Sequence, residues 1–362
     1  MKYLFLHSGR EWSGTARAFA TAARGLALRG HSVTFVAEPD STVERVVSET
    51  AMASERPLLH VEALDIGGSL IGAASRLASL ARRQRADVVF VHNDREHLVA
   101  AVAYRLGSRA RVVRRISAGL ASPVGKTGRN AGRIAPACYM FASDADAQRA
   151  HVAGRVLGKV IAKMGVPETL PQNASDLAGE DVNVVCVHDA SSRSRAAAAI
   201  RTVSMLAPRH PGLHLLIIGE GAYDDDLRMQ AAALGALQLV TFLGDRADQI
   251  NVMRSARLGW VVADSDNAVY GILDFMSLGI PVLAPQKSVA QDYVLHDITG
   301  MLVSGDDANL TAAVAAELLT SDARREAMGA AARGRVVREN LESVMIDGFE
   351  LAAAASTSRV HR

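Results

Sequence analysis

Short apolar runs alternate with longer amphipathic segments along most of the 362-residue chain. Runs such as Lys2–His7, Asp87–His92 and Leu213–Gly219 have strand length and are almost continuously apolar, which is typical of strands buried on both faces. The segments between such runs have helical periodicity, as in Thr15–Arg29. A repeated strand–loop–helix–strand order implies parallel strands joined by right-handed crossovers. The pattern therefore predicts an α/β fold with doubly wound sheets.

The alternation breaks between Met164 and Asp181, where two prolines and little periodicity predict a linker. A chain of this length can form two domains of ordinary size. The predicted segments are a first domain over residues 1–165, a linker over 166–181, a second domain over 182–338 and a C-terminal helix over 339–362. Two doubly wound domains in tandem would place a cleft between the carboxyl ends of their sheets.

Composition narrows the class of protein. Apolar residues make up 49% of the chain and charged residues 22%, which is typical of a globular domain, and the 4% of aromatic residues argues against a stacking surface for nucleic acid. Cys138 and Cys186 lie in apolar runs and are expected to be buried thiols. The first ten residues read as a strand rather than a signal peptide, and no apolar run has membrane-spanning length, so we expect a cytoplasmic protein.

The two halves of the chain carry opposite charge. Residues 1–165 hold 24 Lys+Arg against 13 Asp+Glu, a balance of +11, and the remainder holds 16 against 25, a balance of −9. This asymmetry suggests different partners for the two halves. The basic half could face an anionic acceptor, an anionic membrane surface or nucleic acid, although a solvated surface explains most of its arginines.

The stretch Asp264–Val303 concentrates the candidate chemistry. Asp266 and Asp274 are separated by seven residues, so in a helix their carboxylates lie on roughly one face. Gly271 lies between them, and the N-terminus of a helix favours an anion because free backbone N–H groups and the helix dipole point there. One interpretation is a site for a sugar diphosphate, in which a carboxylate binds hydroxyl groups. The other is that Asp266 caps the helix.

The second half contains segments that carry a family resemblance: HPGLHLLIIGEG, LVTFLGD, LDFMSLGIPVLAP, ITGMLV and ELLTSDARREAMGAAARGRV. They resemble the C-terminal domain of the GT-B glycosyltransferases of the retaining family 4 type, most clearly over residues 183–338. The resemblance implies a GT-B fold, with two tandem Rossmann-like doubly wound domains facing a central cleft. It also implies transfer of a sugar from a nucleotide-diphosphate sugar, without a bound metal or a further cofactor.

By this resemblance Asp266 and Asp274 take the positions of two family glutamates. The first would contact hydroxyls of the transferred sugar and the second the ribose of the nucleotide, while backbone N–H groups between them would hold the diphosphate. The residues predicted to bind the donor in this half are Asp274, Tyr270, Gly271, Arg193, Gly219 and Gly244.

The first half resembles the family as well. In the segment WSGTARAFATAARGLALRGHSVTFV, Gly14 would let the backbone approach the donor phosphates or the acceptor. His92 and Asn93 in DVVFVHND correspond to a family signature at a strand end, where the alternative for His92 is a satisfied polar residue. Residues 323–355 resemble the C-terminal helix that returns to the first domain.

The chain also departs from the family pattern. Both glutamates are aspartates, and Asp189 and Ser194 stand where the family has an Arg and a Lys that neutralise the diphosphate. Arg193 and Arg195 could supply that charge from shifted positions, or they could be solvated residues at a helix start. Ser117 stands near the position of a family histidine, and the neighbouring Arg114 and Arg115 are candidates to replace it.

The segment GLASPVGKT is similar to a phosphate-binding loop but has five residues between Gly119 and Gly125, where that motif has four. We expect a polar, acceptor-side loop from Ser117 to Asn130 instead, with Lys126, Arg129 and Arg133 facing an anionic group. No His, Cys or acidic motif has metal-ligand spacing.

The sequence therefore predicts a retaining glycosyltransferase with Asp266, His92 and Arg195 as its catalytic residues. Its expected partners are a nucleotide-sugar donor and an acceptor. The basic half of the chain suggests an anionic group on the acceptor and is compatible with peripheral contact with a membrane. Two alternatives remain. One is a catalytically weak or inactive GT-B homologue that binds a nucleotide or a partner protein, and the other is a sugar-nucleotide epimerase on the same fold.

Overall fold

The protein consists of two compact units, each built around a parallel sheet. The computed structural model describes residues 1–52, 58–119, 124–170, 182–189, 192–219, 225–244, 248–304 and 308–358. The first unit comprises Met1–Gly165 together with Glu342–Arg362, and the second comprises Val166–Leu341. The predicted α/β class with two Rossmann-like sheets is confirmed.

The first unit contains a seven-stranded sheet with the strand order β3-β2-β1-β4-β5-β6-β7, in which every pairing is parallel. Its strands are β1 (Lys2–His7), β2 (Ser32–Ala37), β3 (Leu59–Ala63), β4 (Val88–Val91), β5 (Arg111–Arg115), β6 (Ala137–Phe141) and β7 (Val156–Ile161). Its helices before the second unit are α1 (Gly14–Leu28), α2 (Thr42–Met52), α3 (Leu70–Gln84), α4 (Asp94–Ala103), α5 (Lys126–Ile134) and α6 (Asp144–Arg149), and a π-helical turn (Tyr104–Ser108) follows α4.

The second unit contains a six-stranded parallel sheet with the order β10-β9-β8-β11-β12-β13. Its strands are β8 (Val182–Val187), β9 (Leu213–Ile218), β10 (Val240–Gly244), β11 (Ala256–Val261), β12 (Val282–Pro285) and β13 (Gly300–Val303). Its helices are α7 (Arg193–Leu206), α8 (Asp225–Ala233), α9 (Gln249–Arg254), α10 (Asp266–Leu278), α11 (Ala308–Thr320) and α12 (Asp322–Glu339), and the last helix of the chain, α13 (Glu342–Thr357), belongs to the first unit.

The core of the first unit forms because its central strands bury nearly every side chain, as the apolar runs predict. Phe5 of β1 stacks on Phe90 of β4 with 4.7 Å between ring centroids, and Phe349 of α13 lies 5.3 Å from Phe90. The C-terminal helix therefore completes the aromatic core of the first unit.

The two faces of the second sheet are covered by different helices. Along β11, Leu258 and Trp260 belong to a buried cluster that also contains side chains of α7, α8 and α11. Gly259 points to the other face, where a Cβ atom would lie 2.5 Å from the ring of Phe275 in α10. Because successive residues of a strand face opposite sides of the sheet, α10 lies on one side and α7 and α11 lie on the other.

Two expectations need correction or lie outside the described residues. The expected loop from Ser117 to Asn130 is wrong in its second part, because α5 begins at Lys126 and carries Arg129 and Arg133 as well. The predicted linker falls mostly on residues 171–181, which lie outside the described residues.

Cys138 and Cys186 are buried free thiols, as predicted. Burial raises the pKa of Cys138 to about 11 and that of Cys186 to about 12. In the part of the chain that the structure describes, no helix is long and apolar enough to cross a membrane.

Candidate functional site

The acidic pair of the second unit lies on one buried helix, α10. Asp266 is its first residue, Asp274 lies two turns further on, and both side chains are almost fully buried. The helix cap is Ser265, whose side chain accepts a hydrogen bond from the backbone N–H of Asn267. The capping role therefore belongs to Ser265 and not to Asp266.

A buried polar network connects the start of α10 to the end of β8. Ser265 Oγ donates a hydrogen bond to Asp189 Oδ2 at 3.1 Å. Asp189 N–H donates in turn to Ser192 Oγ, which lies 2.8 Å from His188 Nδ1. The strands β8 and β11 are neighbours, so their carboxyl ends meet, and a carboxylate there can hold the loop before α10. Where the family pattern has an arginine, this chain uses Asp189 to fix the helix that carries the acidic pair.

The glycines Gly219 and Gly244 bring further strand ends close to this network. Gly219 has a φ angle of +111°, and a Cβ atom there would lie 2.1 Å from His188 O. Its N–H donates to Gly244 O at 2.9 Å, and Gly244 also has a positive φ. Backbone geometry therefore requires glycine at Gly219 and favours it at Gly244, and their predicted contact with a donor stays a prediction.

Gly271 and Tyr270 lie in the interior of the unit, in the middle of α10. A Cβ atom at Gly271 would lie 3.1 Å from Val187 Cγ1, so glycine lets the helix approach the end of β8 closely. Tyr270 is buried as well. The structure places both residues between the two aspartates, and their binding of a diphosphate stays a prediction.

The two arginines expected to neutralise a diphosphate have separate surroundings. Arg193 Nη1 lies 3.2 Å from Asp226 Oδ2, and both side chains are half exposed. Arg195 lines a small, mainly apolar pocket together with Trp260 and Val303, on the face that α7 and α11 cover. Arg195 is therefore not on the face of the sheet that carries α10.

In the first unit, His92 belongs to a compact buried cluster. It follows β4 directly, and its ring stacks on that of His7, the last residue of the neighbouring β1, with 4.6 Å between centroids. His92 Nδ1 lies 2.8 Å from Glu96 Oε2, and the other carboxylate oxygen accepts hydrogen bonds from Ser8 N–H and Ser8 Oγ. Asn93 caps α4 and exchanges hydrogen bonds with Glu96, forming a capping box.

The charges in this cluster are set by burial and by the neighbours. Burial by itself raises the pKa of Glu96, but the charge of His92 and the hydrogen bonds from it lower that pKa to about 2. Burial, followed by the charge of His92, lowers the pKa of His7 to about 4. His7 Nδ1 accepts a hydrogen bond from Gly9 N–H, which is compatible with a neutral ring. The cluster thus holds a charged carboxylate beside a neutral histidine at the carboxyl edge of the sheet.

Sequence reasoning predicted His92 but missed His7, Ser8 and Glu96. The Asn93–Glu96 spacing of the capping box was a readable signal for Glu96. His7 and Ser8 carry no such signal, because they meet His92 only through the pairing of β1 with β4. The contact with Glu96 agrees with the alternative interpretation, in which His92 is a polar residue satisfied by a structural partner. The His92 side chain remains 14% exposed.

Gly14 is the first residue of α1, at the same carboxyl edge of the sheet. Ser13 caps this helix by accepting a hydrogen bond from Ala16 N–H, and the first turn contains no acidic residue. A helix start of this kind can receive an anion, and the role of Gly14 towards donor or acceptor stays a prediction.

The GKTG segment binds an anion at a helix N-terminus, but the anion is part of the chain itself. Asp94 Oδ2 accepts a hydrogen bond from Gly125 N–H at 2.9 Å, and Asp94 Oδ1 accepts one from Arg114 Nη2 at 3.3 Å. Cβ atoms at Gly125 and Gly128 would lie 2.6 and 2.2 Å from the carboxylate oxygens of Asp94. The two glycines therefore make room for Asp94 in the first turn of α5.

Arg114 and His97 lie buried beside this contact. Burial is the main cause that lowers the pKa of Arg114, to about 10, while Glu96 and Asp94 act in the opposite direction. Burial and then the charge of Arg114 lower the pKa of His97 to about 3. Of the two arginines proposed to replace the family histidine, Arg114 therefore lies in the interior, and Arg115 is buried as well. Among the described residues, no three His, Cys, Asp or Glu side chains form a group that could hold a metal ion.

Comparison with known proteins agrees with this architecture. The family model Glycosyltransferase Family 4 matches residues 12–117, and the model Glycosyl transferases group 1 matches residues 171–335. The structure of Anabaena Alr3699/HepE in complex with UDP and glucose superposes with a TM-score of 0.81 at 18% identity, covering 98% of this chain and 100% of the Anabaena chain. At that identity the likeness shows the fold.

Two curated relatives are similar in sequence. A GDP-mannose-dependent monoacylated alpha-(1-6)-phosphatidylinositol monomannoside mannosyltransferase from Corynebacterium glutamicum is 32% identical over 151 residues, which cover 39% of this chain and 38% of the relative. A GDP-mannose-dependent alpha-(1-6)-phosphatidylinositol monomannoside mannosyltransferase from Mycobacterium tuberculosis is 30% identical over 164 residues, 43% of each chain. The matched part thus spans about two fifths of the length of these relatives.

Two parallel Rossmann-like sheets and two glycosyltransferase family models define the class of the protein as GT-B. Within that class, the chain belongs to the glycosyltransferases of the family 4 type, a family of enzymes.

Proposed function

We propose that the protein transfers a sugar from a nucleotide-diphosphate sugar to an acceptor hydroxyl with retention of configuration. The observation that carries the proposal is the position of Asp266 and Asp274 on α10, a helix whose first turn is held by the Ser265–Asp189 hydrogen bond at a strand end. The carboxyl edge of a doubly wound sheet is where such folds bind nucleotides.

The proposed roles follow from the chemistry of the groups. Asp274 binds the ribose hydroxyls of the nucleotide, Asp266 binds hydroxyls of the transferred sugar, and backbone N–H groups of the first turn of α10 face the diphosphate. Departure of the nucleoside diphosphate and attack by the acceptor on the same face are then assisted by positioning and by electrostatic stabilisation. His92, oriented by Glu96, serves the acceptor side of the first unit.

The curated relatives make GDP-mannose the first donor to assay, because both are described as GDP-mannose-dependent. They also suggest an acceptor that carries a phosphate, as a phosphatidylinositol mannoside does, which agrees with the basic balance of the first half. Peripheral contact with an anionic membrane is part of this proposal, and sedimentation with lipid vesicles at low and high salt tests it, since electrostatic attachment weakens with salt.

The ribose role of Asp274 is tested by calorimetric titration with GDP, UDP and ADP. The variant Asp274→Ala should lose binding of the nucleotide that the wild type prefers, by a factor of about ten or more, since a hydrogen bond to a charged group contributes roughly 1.5–3 kcal/mol. Asp274→Asn, which keeps the shape of the buried side chain, separates a binding defect from a folding defect. Glu326→Gln removes an exposed carboxylate of the same unit and is the control. Unchanged affinity in both Asp274 variants would refute the ribose role.

A binding subunit without transferase activity is the second candidate. The observation that favours it is the placement of Arg193 against Asp226 and of Arg195 on the α7–α11 face, since the diphosphate then lacks the cations that the family uses. The two candidates differ in turnover. Thermal stabilisation by nucleoside diphosphates without hydrolysis or transfer from any of a panel of sugar donors would favour the binding subunit.

A further inference from the structure

The first unit carries a cluster of arginines at the amino edge of its sheet. The helix α3 and the π-helical turn after α4 both end where the next strand begins, so their last residues lie at the same edge of a parallel sheet. The arginines at these two chain turns and at the start of β5 are Arg82, Arg83, Arg85, Arg105, Arg109 and Arg111. Five of them are exposed, and Arg111 is half-buried.

The π-helical turn forms one side of an open recess of about 470 Å³, which is lined by Tyr104, Arg105, Arg109 and Arg111. We call this feature the arginine recess. Arg111 Nη1 donates a hydrogen bond to Tyr104 Oη at 3.4 Å. On the other side of the turn, Arg82 Nη1 donates to Leu106 O at 2.9 Å and ties the turn to α3.

The arginines of this edge are not held in ion pairs by the described part of the chain. None of the six arginines forms an ion pair with a described Asp or Glu, whereas Arg24, Arg29 and Arg76 elsewhere in the unit each do. Like charges gathered on two neighbouring turns repel one another and raise the local positive potential. A bound anion would remove that repulsion.

The backbone of the turn closes the end of α4 through residues in a left-handed conformation. Wide turns of this kind are found at helix C-termini. Gly107 inside it has a φ angle of +89°, and Arg109 has a φ of +59°, a left-handed conformation that side chains rarely adopt. The turn presents Arg105 and Arg109 to one recess and holds Arg109 in a backbone conformation that is uncommon for a residue with a side chain.

We propose that the arginine recess binds a phosphate group, carried either by a small soluble phosphate ester or by a lipid headgroup. The planar guanidinium group presents paired N–H donors that match two phosphate oxygens, and the Tyr104 hydroxyl adds a polar group to the same wall. Of the four lining residues only Tyr104 is aromatic, so the recess offers a platform for one base and not for a run of stacked bases, which disfavours a nucleic acid.

The recess is separate from the candidate functional site. It lies at the amino edge of the sheet, where β5 begins, whereas His7 and His92 lie at the carboxyl ends of β1 and β4. The inference therefore does not depend on the proposed transfer reaction, and loss of phosphate binding here leaves Asp266 and Asp274 untouched.

The test uses two probes that share one headgroup. Glycerol 3-phosphate is titrated calorimetrically for the soluble source, and vesicles of phosphatidylglycerol in phosphatidylcholine are sedimented with the protein for the lipid source. Vesicles of phosphatidylcholine alone are the control for lipid as such. The wild type should bind at least one of the two phosphate probes, and the probe that binds identifies the source.

The double variant Arg105→Gln/Arg109→Gln should weaken that binding at least tenfold. The matched control Arg155→Gln/Arg201→Gln removes two exposed arginines from other surfaces and should retain wild-type affinity. All four side chains are exposed, and circular dichroism melting checks that both variants remain folded. Absence of binding to either probe by the wild type, or an equal loss in both double variants, would overturn the proposal.

Discussion

Glu96 illustrates how this protein keeps a charge in its interior. Its carboxylate is fully buried, yet it accepts hydrogen bonds from Ser8 and Asn93 and faces His92. A buried carboxylate without such partners would take up a proton instead. The partners therefore keep Glu96 ionised and orient the His92 ring in the candidate site.

Glu96→Gln is expected to lower the free energy of unfolding by about 2 kcal/mol at pH 7, because hydrogen bonds to a charged group are replaced by weaker neutral ones. The folded-state pKa of Glu96, about 2, lies below the ordinary value of 4.5, so its contribution is present above pH 4.5 and is lost as the pH falls towards 2. Urea denaturation at pH 7 and pH 3.5 should show the difference from wild type shrinking at the lower pH.

The chain offers a matched control for this prediction. Arg45 and Glu49 form an ion pair with the same four-residue spacing as His92 and Glu96, but both side chains are about two-thirds exposed. Glu49→Gln should therefore change stability by less than about 0.5 kcal/mol. Equal effects of the two substitutions would contradict the role assigned to burial.

Asp189 makes a similar point in the second unit. Resemblance to the family led us to expect a missing cation at this position, and the structure shows a carboxylate that holds Ser265 at the start of α10. At this position, a residue expected to neutralise the diphosphate is therefore replaced by one that makes a structural hydrogen bond. Sequence comparison alone could not show this, because Ser265 lies 76 positions away.

At the scale of the element, α5 shows why a glycine-rich motif can be misread. Its sequence suggested a loop, because glycine and polar residues disfavour a helix by local propensity. The helix forms because Asp94 occupies its first turn, where a negative charge stabilises the free N–H groups. The glycines are required by the approach of Asp94 and not by a bound phosphate.

Gly128→Ala should therefore destabilise the protein by about 2–3 kcal/mol, since the new methyl group displaces the Asp94 carboxylate from buried Arg114. Gly334→Ala in α12 is the control, because a Cβ atom there meets only the flexible end of Arg338 at 3.3 Å. Replacing that helical glycine should stabilise by up to about 1 kcal/mol. Thermal melts of both variants measure the two shifts, and a stabilising Gly128→Ala would contradict the proposed contact.

At the scale of the whole molecule, two buried histidines couple folding of the first unit to pH. Burial is the main cause that lowers the pKa of His7 to about 4 and that of His97 to about 3, against an ordinary value of 6.5. Below pH 6.5 the unfolded chain takes up protons that the folded chain refuses, so stability falls as the pH falls towards these values. We expect acid sensitivity well above the range in which carboxylates titrate.

His97→Leu should reduce this sensitivity. Between pH 7.5 and pH 5, the loss of unfolding free energy should be about 2 kcal/mol smaller in the variant than in the wild type, because one pKa unit corresponds to about 1.4 kcal/mol. Denaturant titrations at the two pH values measure it. His151→Leu removes an exposed histidine and is the matched control. A wild-type pH dependence in His97→Leu would show that His97 is not the group responsible.

The sequence by itself determined the architecture of each unit and the chain positions of several candidate residues. Continuous apolar runs identify strands buried on both faces, and helical segments between them imply parallel crossovers, since these patterns depend on local periodicity. The quoted family segments then located Asp266 and Asp274, and the structure places both on the predicted helix.

The tertiary structure decided which side chains meet. His7 stacks on His92 because β1 pairs with β4, and Asp94 enters the first turn of α5 because β4 pairs with β5. The separation of Arg195 from α10 likewise follows from β11, whose successive residues face opposite sides of the sheet. Trp260 lies on the side of Arg195, and Gly259 lies on the side of α10. These contacts join residues that are distant along the chain. They are brought together by the order of the strands in the sheet and by the side of the sheet that each residue faces, and no local sequence pattern encodes these contacts.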